Sequence, residues 1–225
     1  MGKPKMSASE IAQRIDHTLL KPEAIQSALD CLCSEALQYG FKAVCVNSAR
    51  VAYVSQKVAG SAVAVCAVVG FPLGASHQAA KAFEAAKAIE DGVSELDMVL
   101  NIGALKDGDL KTVEADIRAV RQAAPGPTVL KVIIETCLLT EAEKTTACEI
   151  AKQVGADFVK TSTGFSSGGA IVEDVALMRR IVGPEMGVKA SGGIKDWETA
   201  VAMIEAGADR LGTSSGVVIV ESAPD

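Results

Sequence analysis

The 225-residue chain has only two histidines, His17 and His77, and they fall in different segments. Its six cysteines (Cys31, Cys33, Cys45, Cys66, Cys137 and Cys148) form no Cys-x-x-Cys pair. Without a His/Cys cluster there is no zinc-type ligand set, and metal-independent chemistry is expected. His17, next to Asp16, reads as a hydrogen-bonded structural histidine, and His77 as the start of a helix. No Gly-x-Gly-x-x-Gly follows a strand, which argues against a dinucleotide, and no cofactor is expected. No basic block occurs, and 22 Lys and Arg against 28 Asp and Glu leave a net charge of −6, which argues against nucleic acid or an anionic membrane as partner. The longest apolar runs, such as Ala62–Phe71, fall short of a membrane span, and the polar Met1–Glu10 lacks the hydrophobic stretch of a secretion signal. The expectation is a cytoplasmic protein whose cysteines are reduced and buried, Cys45 being the possible exception because it sits near a strand end.

What the chain does have is a regular alternation of strand-like apolar runs and helical-period segments. After a helix beginning near Ser7, the spacing predicts strands at 14–18, 43–47, 63–69, 95–100, 129–135, 157–162, 188–190 and 210–212. Helices are predicted between them at 22–39, 49–59, 76–91, 110–124, 140–154, 171–182 and 197–206. Pro22 reads as a first-turn residue and Gly40 as a helix stop; Thr140 with Glu143 forms a capping box. Nearly continuous Val/Ile/Ala strands that alternate with helices imply parallel strands covered on both faces. Eight such units across 1–225 fit one domain, an α/β (β/α)8 TIM barrel with an extra N-terminal helix, better than an open sheet.

In such a barrel the active site lies at the C-terminal ends of the strands, and side-chain parity decides what faces inward. Lys160, in Phe158-Val-Lys160, and Lys189, in Val188-Lys-Ala190, each interrupt an apolar strand. A desolvated lysine beside a second cation has a lowered pKa, and its neutral amine attacks carbonyl carbon, so the pair points to Schiff-base chemistry. The bland alternative leaves both amines in solvent at strand ends. Asp97, between Leu96 and Met98, suits a general acid/base or a partner that holds a lysine protonated. Asp16, behind Ile15, is either a site carboxylate or a turn former. Ser191-Gly192-Gly193 follows strand seven and Gly212-Thr-Ser214-Ser215-Gly216 follows strand eight, the usual barrel position for a substrate phosphate. Thr163-Gly164 would add a third edge and Lys195 a flanking cation. On residue types alone, a lysine that carries pyridoxal phosphate is not separated from an aldolase lysine.

Taken in order, Asp16-His-Thr-Leu-Leu-Lys-Pro22, Val44-Cys-Val-Asn47, Val69-Gly-Phe-Pro-Leu-Gly74, Glu95-Leu-Asp-Met-Val99, Lys131-Val-Ile-Ile-Glu135, Phe158-Val-Lys-Thr-Ser-Thr-Gly-Phe165 and Val188-Lys-Ala-Ser-Gly-Gly-Ile194 resemble the deoxyribose-phosphate aldolase family over nearly the whole chain. The resemblance implies a cofactor-free class I aldolase that interconverts 2-deoxy-D-ribose 5-phosphate with acetaldehyde and D-glyceraldehyde 3-phosphate. It implies Lys160 as the Schiff-base lysine, Asp97 as the proton-transferring carboxylate, Lys189 as the lysine that tunes Lys160, and Asp16 beside them. Gly164, Gly193, Gly212, Ser214 and Ser215 match the family's phosphate loops, and a homodimer or homotetramer is expected. Some members end in a tyrosine tail that reaches the active site. This sequence ends Ala223-Pro-Asp225 and its tyrosines are Tyr39 and Tyr53, so tail-assisted proton transfer is not expected. The alternative readings are another phosphate-binding Schiff-base barrel enzyme and a non-catalytic sugar-phosphate sensor.

Overall fold

The computed structural model describes residues 6–224; the readings that rest on residues 1–5 and on Asp225 lie outside the described residues. In chain order the elements are α1 (Ala8–Ala12), β1 (Ile15–Leu19), α2 (Gln26–Tyr39), β2 (Ala43–Val46), α3 (Val51–Lys57), β3 (Ala64–Val69), α4 (Gln78–Glu90) and β4 (Glu95–Val99). There follow α5 (Ile102–Lys106), α6 (Leu110–Ala123), β5 (Val129–Ile133), α7 (Glu141–Val154), β6 (Phe158–Lys160), α8 (Val172–Val182), β7 (Gly187–Ser191), α9 (Trp197–Glu205), β8 (Arg210–Thr213) and α10 (Gly216–Glu221). The eight strands form a closed barrel in sequence order, every pair parallel, with β8 returning to β1. The predicted (β/α)8 architecture and its N-terminal helix are both present. Ser7 and Glu10 form a capping box that starts α1.

Several local features differ from the sequence reading. Helix α2 starts at Gln26 and not at Pro22, because Ala24 N–H bonds the Lys21 carbonyl and closes a turn first. The short α5 and α10 were not predicted; each is too brief to show a helical period. Strand β5 stops at Ile133 because Glu135, expected inside it, adopts left-handed backbone angles. Cys31 and Cys137 are exposed, against the expectation that they are buried, while Cys45, the expected exception, is buried. Cys31 lies off the buried face of α2, which presents Leu29, Leu32, Cys33 and Ala36, and its thiol donates to Glu35.

Strand parity divides the protein into two layers. Outward residues such as Val44, Val65, Leu96, Leu130, Val159, Val188 and Leu211 join the inner faces of the helices in one large apolar cluster. Inside the barrel a small apolar group, Ala43, Cys45, Cys66 and Val68 with Leu20 just past β1, lines the β2–β3 side. The opposite interior is charged, with Asp16, Glu95, Asp97, Lys131, Lys160, Lys189 and Arg210 all buried. Room for this filling comes from missing side chains. A Cβ on Gly187 would lie 2.2 Å from the Phe158 ring, and one on Gly212 would lie 3.0 Å from Lys189 Cε.

Gly187→Ala is therefore expected to cost about 1–3 kcal/mol, the usual penalty of overpacking a dense interior. Gly103→Ala is the control, since its Cβ would meet nothing closer than 3.7 Å and alanine favours the helix it would enter. Urea unfolding of both variants checks this; equal midpoints would refute the packing argument.

Candidate active site

Adjacent strands bring the charged residues into register. Asp97 on β4 pairs with Lys131 on β5, and Lys160 on β6 pairs with Lys189 on β7. Because alternate residues of a strand share a face, all four project into the barrel. Lys160 is 3% exposed and Lys189 0%, which removes the reading in which their amines sit in solvent. Each donates to the same oxygen, Asp97 Oδ2, at 2.7 Å. Lys131 Nζ bonds Asp97 Oδ1 at 2.9 Å and Glu95 Oε2 at 2.6 Å. Lys189 also bonds Asp16, and Arg210 bridges Asp16 and Glu95, the latter at 2.8 Å to Oε2.

The site is thus not a bare lysine pair. Four cationic side chains share three carboxylates, so release of one proton leaves the charges matched. Burial alone would lower the pKa of Lys189, but Asp16 and Asp97 raise it overall. Burial likewise opposes the charge on Lys131 and Arg210, and their carboxylate partners raise both. Burial would raise the pKa of Asp97, yet Lys131, Lys160 and Lys189 hold it well below the usual carboxylate range. Asp16 is lowered to about 2, because Lys189, Arg210 and Lys131 outweigh its burial. Lys160 differs from the other three cations in position: among the described residues Asp97 is its one carboxylate partner, and it also lines the cavity at the barrel mouth.

Lys131, Glu95 and Arg210 were missed by the sequence reading. Lys131, a lone charge in Val-Leu-Lys-Val-Ile, carries the same strand-parity signal as Lys160. Glu95 and Arg210 open their strands and resemble ordinary polar ends, so they carried no such signal.

The cavity is about 400 Å³, lined by Lys160 at its inner end and by Thr163, Gly164, Gly192, Gly193, Gly212, Ser214 and Ser215. All the phosphate-loop residues proposed from sequence therefore meet around one space. Gly164, Gly192 and Gly193 have φ of 81°, 84° and 82°, a conformation that side-chain-bearing residues seldom adopt. The lining contains three lysines, Lys21, Lys160 and Lys195, and no carboxylate among the described residues. Lys21 was not singled out from sequence.

His17 is buried with Nε2 2.6 Å from Glu35, and His77 caps α4, so both keep the structural roles read from sequence. Cys45 lies inside the barrel, its pKa lowered by a hydrogen bond from Cys66 and by Lys189 against the effect of burial. Cys45, Cys66 and Asp97 are close enough to form a three-ligand metal group. The donor set does not favour a cation: both Asp97 oxygens already accept ammonium groups, and burial and neighbouring anionic groups push the Cys66 thiol well up, against deprotonation.

Residues 10–221 match the family described as DeoC/LacD family aldolase. The chain is 63% identical over 209 residues to the deoxyribose-phosphate aldolase of Brevibacillus brevis, covering 93% of this chain and 94% of that protein. It is 61% identical to the deoxyribose-phosphate aldolase of Thermococcus gammatolerans, covering 97% and 98%. Among solved structures, the tetrameric deoxyribose phosphate aldolase of Aeropyrum pernix superposes with a TM-score of 0.90 at 35% identity, covering 96% of this chain and 92% of that one.

The lowered carboxylates make acid the weak side of the fold. A depressed folded-state pKa gives stability that is complete above the unfolded value and is lost as pH falls through the folded one. For Asp16, held at about 2, the contribution is present above about pH 4 and disappears toward pH 2. It amounts to on the order of 2–3 kcal/mol. Urea midpoints measured from pH 7 to pH 2 should hold down to about pH 4 and then fall; a decline that is complete by pH 5 would contradict this.

Proposed function

The chain belongs to the DeoC/LacD aldolase family, and we propose that it reversibly cleaves 2-deoxy-D-ribose 5-phosphate to acetaldehyde and D-glyceraldehyde 3-phosphate through a Schiff base on Lys160. The observation that carries the assignment of Lys160 is its place at the junction of the charge network and the cavity: it alone of the four network cations lines the cavity. Lys189, Lys131 and Arg210, each tied to at least two carboxylates, are the cations that stay charged.

In the cleavage direction the neutral Lys160 amine attacks C1 of the open-chain sugar, and the carbinolamine loses water to give an imine. Asp97, acting through a water, takes the proton of the C3 hydroxyl. The C2–C3 bond then breaks, as a two-carbon product requires, and its electron pair flows into the imine to form an enamine. Glyceraldehyde 3-phosphate leaves, the enamine is protonated at C2, and water releases acetaldehyde and the free lysine. Lys189 keeps Asp97 ionised and oriented, and Asp16 with Arg210 fixes Lys189. The Gly192–Gly193 and Ser214–Ser215 loops, with Gly164 and Gly212, hold the phosphate at the mouth. Binding energy from that remote group then orients C2 and C3 over the lysine.

No pyridoxal or metal step enters this sequence. Assembly as a homodimer or homotetramer goes with this reading; its support is the tetrameric Aeropyrum pernix relative and exposed apolar side chains such as Phe83 on α4.

Acetaldehyde with borohydride should leave a stable adduct mapping to Lys160 by peptide mass spectrometry, with or without EDTA. Lys160→Ala and Lys160→Arg should each lose essentially all cleavage, since arginine keeps the charge but is not deprotonated in proteins. An adduct on Lys189, or near-normal turnover by either variant, would reverse the assignment. Loss of activity on chelation that zinc restores would place the chemistry in the metal-dependent class.

A further inference from the structure

Glu135 combines two unfavourable features. It has φ 56° and ψ 66°, and it is the one non-glycine residue with a left-handed φ among the described residues. Its side chain is also buried, with 2% exposure, yet unlike Asp16, Glu95 and Asp97 it has no cationic partner among the described residues. A strained backbone and a buried carboxylate without a counter-charge persist where the surroundings, and often function, require them.

The carboxylate is spent on the loop after β6. Both of its oxygens accept from the Thr163 N–H at 3.3 Å, and Oε2 also accepts from the Thr163 hydroxyl. That hydroxyl oxygen in turn accepts from the Phe165 N–H at 3.1 Å. Of three successive amides, those of Thr163 and Phe165 are therefore engaged. The one between them, on Gly164, has no partner among the described residues, and Gly164 lines the cavity. Behind the loop, Glu135, Leu138, Thr163 and Phe165 border a second space of about 100 Å³, which leaves the loop room to collapse if its tether is cut.

We propose that Glu135 is a positioning residue for the β6–α8 loop, fixing it so that the Gly164 amide is offered to the phosphate of the substrate. This rests on the phosphate reading given above. The Thr163 N–H lies equally close to both carboxylate oxygens. In glutamine the amide nitrogen would take one of those two places and set a donor against that N–H.

The test is the ratio of kcat/KM on 2-deoxy-D-ribose 5-phosphate to that on unphosphorylated 2-deoxy-D-ribose, for wild type and Glu135→Gln. The wild type should prefer the phosphorylated sugar. Glu135→Gln should reduce that preference at least tenfold, chiefly through a higher KM for the phosphorylated sugar, while borohydride still traps acetaldehyde on Lys160. A lower melting temperature with an unchanged ratio would mean that Glu135 serves the fold alone, and would overturn the proposal. A wild type without preference would instead overturn the phosphate reading, and this inference with it. If Glu135→Gln does not fold, Thr163→Val, which removes the hydroxyl at the other end of the tether, decides the matter: the ratio should fall, and an unchanged ratio overturns the proposal.

Discussion

Asp97 accepts hydrogen bonds from the ammonium groups of three lysines on three different strands, and the charged half of the barrel interior is arranged around that node. Desolvating so many charges is expensive, and is repaid only when every lone pair and proton finds a partner. Here the closure of the sheet supplies the partners, because eight strands in fixed register deliver side chains of both signs to the same level. The same node links stability to chemistry: the carboxylate that keeps Lys131 and Lys189 charged is also the one within reach of the reactive amine. Removing it would leave Lys160 without its carboxylate and take one partner from each of Lys131 and Lys189, so its loss would unsettle the barrel as well as the reaction.

The legible part of this molecule was the part governed by periodicity. Eight βα units, the inward parity of Lys160, Lys189 and Asp97, and the glycine loops after β6, β7 and β8 all follow from spacing that local sequence sets. What was not legible depends on contacts between distant residues. Glu95 and Arg210 become interior groups only because the barrel closes and sets Arg210 against Asp16 and Glu95. Glu135 looks like the end of an apolar strand, and nothing local announces its left-handed turn; Thr163, 28 residues on, supplies the reason. Gly187 and Gly212 likewise read as strand glycines until Phe158 and Lys189 are seen to occupy the space where their side chains would be. Pro22 misled in the opposite way, since a residue that suits a helix start served a turn just before one.

The division of the barrel interior is also informative. Ala43, Cys45, Cys66 and Val68 give the β2–β3 wall no hydrogen-bonding side chain stronger than a thiol. The charged groups crowd the facing wall. An imine formed on Lys160 would therefore have ions on one side and an apolar surface on the other. Such an arrangement excludes water from one face of a reactive intermediate while proton carriers remain on the opposite one.

The three lysines in the cavity lining have a consequence at longer range. The protein carries a formal net charge of −6, so its surface on average repels anions. The mouth of the barrel reverses that sign locally, with Lys21, Lys160 and Lys195 and no lining carboxylate among the described residues. A low-dielectric cleft of one sign focuses field lines outward into solvent, so a doubly charged sugar phosphate is drawn to one point on an otherwise repulsive body. Capture of that kind is a rate effect and decays over a Debye length of about 8 Å at physiological ionic strength, so added salt slows the encounter while the geometry within the barrel is untouched.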